Sequence, residues 1–131
     1  MSLLSKRRQI LHRSAAPNLW VVIDEAALRR RLGGAATMRQ QLEHLIEITE
    51  LPHVTFQVMP FSTGVAAGGA IILLRFPGRA LADVVYLEQL ARALDRAADI
   101  QHYHQVMDRL SARAEPPTAT VTIIDQILEE T

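Results

Sequence analysis

The sequence predicts an α/β (α+β) domain, with a mixed, largely antiparallel sheet of about four or five strands packed against helices. Three observations predict it. Short runs of β-prone apolar residues recur at 19–23, 70–76 and 84–88. Longer stretches at 36–51 and 97–114 carry apolar residues at helical spacing. The composition, 49 % hydrophobic and 21 % charged over 131 residues, suits one globular domain. With aromatics at only 5 %, its core must be built mainly of Leu, Ile and Val.

Residues 4–13 read as a short helix with one apolar face. Pro17 ends it, because the residue before a proline is pushed out of the α region. Residues 1–17 are thus expected to be an N-terminal linker helix, of which 1–3 read as an added start. Residues 18–131 read as a single α/β domain. Leu19-Trp20-Val21-Val22-Ile23 is a buried strand. Residues 24–31 follow with acid first and base last, and Gly33-Gly34 lies just beyond. That order fits one or two helical turns closed by a glycine cap. Residues 36–51 form the clearest amphipathic helix, with Met38, Leu42, Leu45 and Thr49 on one face and Thr37 as N-cap.

At 53–61, Val54, Phe56 and Val58 alternate with Thr55, Gln57 and Met59, the pattern of a half-buried strand. A small-residue loop at 62–69 leads to the strand at 70–76. Pro77-Gly78 then separates it from the strand at 84–88, which suggests an antiparallel pair. Residues 89–96 fit strand or helix. Residues 97–114 are helical, with Ile100, Tyr103, Met107, Leu110 and Ala114 on one face. Glu115-Pro116-Pro117 breaks that helix. A last helix is expected over 118–130, with Val121, Ile124 and Leu128 inward.

Charge and composition exclude several function classes. Fourteen basic and fourteen acidic residues cancel. A domain that itself grips DNA usually carries a basic excess, because phosphate neutralisation supplies most of the affinity. The basic runs Lys6-Arg7-Arg8 and Arg29-Arg30-Arg31 lack aromatic interleaving and read as solvated helix faces. Cysteine is absent, which removes disulfides and thiolate metal sites. No apolar run reaches the roughly 18–20 residues of a membrane span, and no signal-peptide core opens the chain. The expected compartment is the cytosol, with no membrane contact.

No motif declares a catalytic centre. His102 and His104 sit two apart on one helix and so point about 200° apart, unable to share a metal. His44 and His53 read as surface or partly buried histidines. No nucleophile elbow and no glycine-rich phosphate cradle is present. The expectation is no catalytic residue, no metal and no cofactor. Asp24 and Glu25, at the end of a buried strand, stand where α/β folds place chemistry. Their bland reading is that they complement the start of the following helix. Glu88 ends another apolar strand and is expected to approach Asp24 or Arg29, more readily as an ion pair than as an acid/base pair.

Several stretches together resemble one family. They are Arg8-Gln9-Ile10-Leu11, Leu19-Trp20-Val21-Val22-Ile23-Asp24-Glu25-Ala26-Ala27-Leu28-Arg29 and Met38-Arg39-Gln40-Gln41-Leu42-Glu43-His44-Leu45. His53-Val54-Thr55-Phe56-Gln57-Val58-Met59-Pro60-Phe61-Ser62-Thr63-Gly64 and Asp83-Val84-Val85-Tyr86-Leu87-Glu88 complete the set. The set resembles the uncharacterised C-terminal domain that follows an XRE-type helix-turn-helix in actinobacterial, WhiJ-like, antitoxin-like regulators. The resemblance spans residues 6–130. It departs at Val65-Ala66-Ala67-Gly68-Gly69, where the family loop is longer and often carries a histidine, and over 116–124, where the family helix starts with polar residues. A weaker likeness, over 36–114, is to half of a phospholipase D-like fold without its HxK…D motif.

The resemblance implies a non-enzymatic regulatory domain over 18–131, acting by dimerisation or by binding an effector or partner. It implies a homodimer, a small partner protein encoded by a neighbouring gene, and DNA contact only through a helix-turn-helix upstream of this segment. Asp24, Glu25, Arg29, Tyr86 and Glu88 are the candidate effector- or partner-binding residues. The rival expectation is a small hydrolase or transferase using the strand-end carboxylates Asp24, Glu25 and Glu88 with Arg29. Direct DNA contact through residues 6–13 is the third.

Overall fold

The computed structural model describes residues 17–30, 33–63, 69–76, 83–87 and 92–131. Among them, the strands β1 (Asn18–Asp24), β2 (Val54–Met59), β3 (Ala70–Arg75), β4 (Val84–Leu87) and β5 (Arg92–Leu94) form one sheet in the order β2-β1-β3-β4-β5. β1 and β2 run parallel, and the other three neighbouring pairs are antiparallel. This is the mixed, largely antiparallel sheet the sequence predicts. The α-helices are α1 (Glu25–Arg29), α2 (Ala35–Thr49), α3 (Ala97–Arg113) and α4 (Thr120–Glu129). Short 3₁₀ turns occupy Phe61–Thr63 and Pro117–Ala119. The helix expected at 4–13 lies outside the described residues.

The register sorts the apolar side chains onto two faces. Leu19, Val21 and Ile23 align with Phe56 and Val58 of β2 and with Leu74, Ile72 and Ala70 of β3. This face packs against Leu28 of α1, Met38, Leu42 and Ile48 of α2, and Ile124, Ile127 and Leu128 of α4. The opposite face presents Val22, Ile71, Leu73, Val85 and Leu87, covered by Met107 of α3 with Ile100, Tyr103, Val106 and Leu110 around it. Met107 is the fully buried residue of α3, so the hold of that helix on the sheet centres there. Truncating such a side chain costs about 2–5 kcal/mol. β1 is an interior strand with helices over both of its faces. That is why its apolar run is continuous rather than alternating.

The second layer of helix corrects the reading of β2. The alternation at 53–61 predicts a strand wet on one face, yet Phe56, Gln57, Val58 and Met59 are all buried. The end of α3 lies over the face that carries Gln57. The Gln57 amide satisfies itself there: Trp20 Nε1 donates to its Oε1 at 2.9 Å, and its Nε2 donates to the carbonyls of Ser111 and Glu115, each at 3.3 Å. A buried polar side chain is stable only when partnered in this way.

The free edge of β2 is also closed. The Glu115 N–H donates to the Val58 carbonyl at 3.0 Å, and the buried Thr120 hydroxyl donates to the Phe56 carbonyl. Glu115, in the connection between α3 and α4, and Thr120, at the start of α4, thus take the place of a sixth strand at alternate positions of the edge. An uncovered edge would leave those groups open to pairing with another chain.

Three local expectations are corrected. Thr37 does not cap α2; Gly34 stands at the N-cap, with φ of 90°. Gly33-Gly34 does not close α1, which ends at Arg30 in extended conformation; both glycines keep positive φ in the turn into α2. The last helix begins as a 3₁₀ turn at Pro117–Ala119 and becomes α-helical only from Thr120. The undecided stretch 89–96 contains β5, a short edge strand exposed at Arg92 and Ala93.

Candidate functional site

The C-terminal ends of β1 and β2 lie side by side because the two strands are parallel, with Ile23 opposite Val58 and Asp24 opposite Met59. Crevices at such ends are where open α/β sheets place their sites. Here the chain leaves β1 into α1 and leaves β2 into the turn Phe61–Thr63. The two strand-end carboxylates both grip the backbone of the segment that follows β2. Asp24 Oδ2 accepts the Gly69 N–H at 3.0 Å, and the Asp24 N–H donates to the Gly69 carbonyl at 3.0 Å. Glu25 Oε1 accepts the Phe61 N–H at 3.2 Å. Adjacent acidic residues therefore hold Phe61 and Gly69, on either side of the stretch that joins β2 to β3. Gly69 has φ of 97°, a conformation that favours glycine.

The remaining oxygen of Glu25 accepts the Arg29 Nε at 2.7 Å, the i,i+4 pair expected on a helix that starts acidic and ends basic. Arg29 Nη1 reaches on to Glu130, just past the end of α4. The hydrogen bonds to Glu130 first and Glu25 second raise the Arg29 guanidinium above its ordinary pKa. Arg29 is thus a bridge between two carboxylates. Asp24 stands at the N-cap of α1 and Glu25 in its first turn, where acidic residues complement a helix start; the Asp24 side chain makes no cap bond and accepts from Gly69 instead.

Of the residues predicted for the site, Asp24, Glu25 and Arg29 come together. Tyr86 does not join them. It pairs with Ile72, which pairs with Val21, so it lies two strands from β1 and level with a residue three positions before Asp24. That offset is roughly 10 Å along the strands and about 10 Å across them. There it packs, half-buried, against the core shared with α2 and α4. Glu88 lies outside the described residues. Sequence reasoning missed Glu130, because nothing local marks a partner 101 residues from Arg29.

It also missed Phe61. Among the described residues this is the large hydrophobic side chain left in solvent, 61 % exposed, beside a backbone N–H fixed by Glu25. Aromatic side chains of this kind are enriched among the residues that anchor protein interfaces.

Elsewhere, an open depression of about 450 Å³ between the β4–β5 edge and the start of α3 is lined by Asp83, Asp95, Ala97, Ile100, Gln101 and His104. Asp83 faces Arg75 at 3.7 Å, and Asp95 lies just before α3, whose first N–H groups favour negative charge. The His102 ring stacks edge-on against Tyr103 at 5.0 Å. Among the described residues no three His, Asp or Glu side chains gather as a metal would require, and no helix is long and apolar enough to cross a membrane.

No curated protein and no solved structure matches the chain. Residues 1–126 match the family described as a domain of unknown function (DUF5753), and the chain belongs to that family.

Proposed function

We propose that this chain is the regulatory, partner-binding domain of a DNA-binding transcription regulator, and that it is not an enzyme. The observation that carries the reading is Phe61, exposed on a turn that Glu25 pins to the end of β1. Two further facts support it. The carboxylates best placed for chemistry are occupied in holding backbone and Arg29. The zero formal charge suits a domain that leaves DNA to another part of the polypeptide. The resemblance to the domain behind an XRE-type, WhiJ-like helix-turn-helix supports a DNA contact made upstream of this segment. The domain acts in the cytosol by engaging a small protein encoded beside it or a second copy of itself, with Phe61 as anchor.

Titration calorimetry with the neighbouring gene product and sedimentation of the domain test this. Binding or dimerisation is expected, and Phe61→Ala should weaken it by about 30-fold or more, the effect of losing a hot-spot aromatic. A domain that stays monomeric at high concentration and binds no neighbouring product, or a Phe61→Ala variant that associates as wild type does, would overturn the reading.

A further inference from the structure

We infer that the last helix and the Phe61 turn are one coupled unit, joined by an ion relay from Glu130 through Arg29 and Glu25 to the Phe61 N–H. The inference rests on the reading of Phe61 as the binding anchor, but the relay itself does not depend on it. Each link is a separate contact. Glu130 holds Arg29 Nη1, Arg29 Nε holds Glu25 Oε2 at 2.7 Å, and Glu25 Oε1 holds the Phe61 N–H at 3.2 Å. Glu25 uses one oxygen for each neighbour, so what fixes its carboxylate on the Arg29 side also aims it at Phe61. Arg29 lies on the five-residue helix α1, and its second anchor comes from beyond the end of α4.

Glu130 is the exposed link of the chain, its side chain 58 % accessible against 15 % for Glu25. A cationic group brought to the end of α4 competes with Arg29 for Glu130 and loosens the Phe61 turn. By linkage, whatever seats on Phe61 tightens the Arg29–Glu130 pair to the same degree. The Gly69 N–H supplies an internal control, because Asp24 holds it outside the relay.

Amide hydrogen exchange followed residue by residue by NMR tests the relay on the full chain. Glu130→Gln should speed exchange at the Phe61 amide by about two- to fivefold at low ionic strength, the range of an exposed ion pair. Gly69 should stay unchanged, and the difference should vanish at about 0.5 M salt, where the Debye length shrinks to a few ångströms. Glu25→Gln should give a larger change at Phe61, and Asp24→Asn should move Gly69 instead. Equal acceleration at both amides in Glu130→Gln would mean general destabilisation and overturn the relay. Unchanged exchange at Phe61 in Glu130→Gln, with acceleration in Glu25→Gln, would overturn it equally. Neither result bears on whether Phe61 binds a partner.

Discussion

Gln57 reads as a wet position in the sequence pattern and is buried in the fold, so replacing it tests the two-sided packing of the sheet. It is buried, with three hydrogen bonds that tie β1, β2 and the end of α3 together. Gln57→Leu keeps the size and removes all three. The bond from Trp20 is short and contributes about 1 kcal/mol, and the two at 3.3 Å about 0.5 kcal/mol each. Added apolar burial returns a fraction of this. A net loss of about 1–2 kcal/mol remains, a drop in Tm of roughly 3–8 °C for a domain of this size.

Gln57→Glu should be worse at pH 7, by about 2–4 kcal/mol. It keeps an acceptor for Trp20 but turns a buried negative oxygen toward two carbonyls. Burial and those carbonyls would raise the folded-state pKa of the new carboxyl above its ordinary value of about 4.3. The deficit is therefore present above the folded pKa and shrinks as pH falls through it, since the protonated form can donate again. Thermal unfolding at pH 7 and pH 4.5, followed by the fluorescence of the single tryptophan, reads both effects. A Gln57→Glu variant as stable as wild type at pH 7, or one whose deficit grows on acidification, would refute the placement of Gln57 under α3.

Two further substitutions and one binding assay probe the edge seal, the Gly69 turn and the charge balance. Thr120→Val leaves the Phe56 carbonyl on the β2 edge without its donor and should cost about 1–3 kcal/mol in chemical denaturation, whereas Thr120→Ser should recover most of it; equal losses for both would contradict the edge seal. Gly69→Ala imposes a side chain at φ of 97° and should lose about 1–3 kcal/mol, read as a shift of the urea midpoint without a change in slope. In a gel shift at low salt the chain should retard no DNA, because its formal charge is zero; retardation that falls steeply with salt would reinstate direct DNA contact.

Much of the fold is legible in the sequence, for reasons that also mark where legibility ends. Runs such as Val21-Val22-Ile23 and Ile71-Ile72-Leu73-Leu74 announce strands covered on both faces, and the spacing of Met38, Leu42 and Leu45 announces a helix. β2 is misread because the buried Gln57 imitates a wet face that only Thr55 keeps. Whether a polar side chain is wet or partnered depends on a helix end more than fifty residues away. Arg92–Leu94 carries no pattern of its own and is a strand only because β4 offers it a ladder. Asp24, Glu25 and Arg29 are legible as a strand-end group, since strand, acid and helix follow one another directly. Their use as backbone clasps and a bridge is not legible, because Gly69, Phe61 and Glu130 are distant in sequence.

The central claim is that Phe61 anchors a regulatory partner. On the proposed reading, it is tested most directly in the full regulator carrying Phe61→Ala, with a reporter gene read beside operator occupancy and Tm. Since Phe61 is exposed, Tm should stay within about 2 °C of wild type, and operator binding by the purified protein should be unchanged. The response of the reporter to the partner should be lost. Wild-type regulation by the Phe61→Ala protein, at equal abundance, would contradict the account.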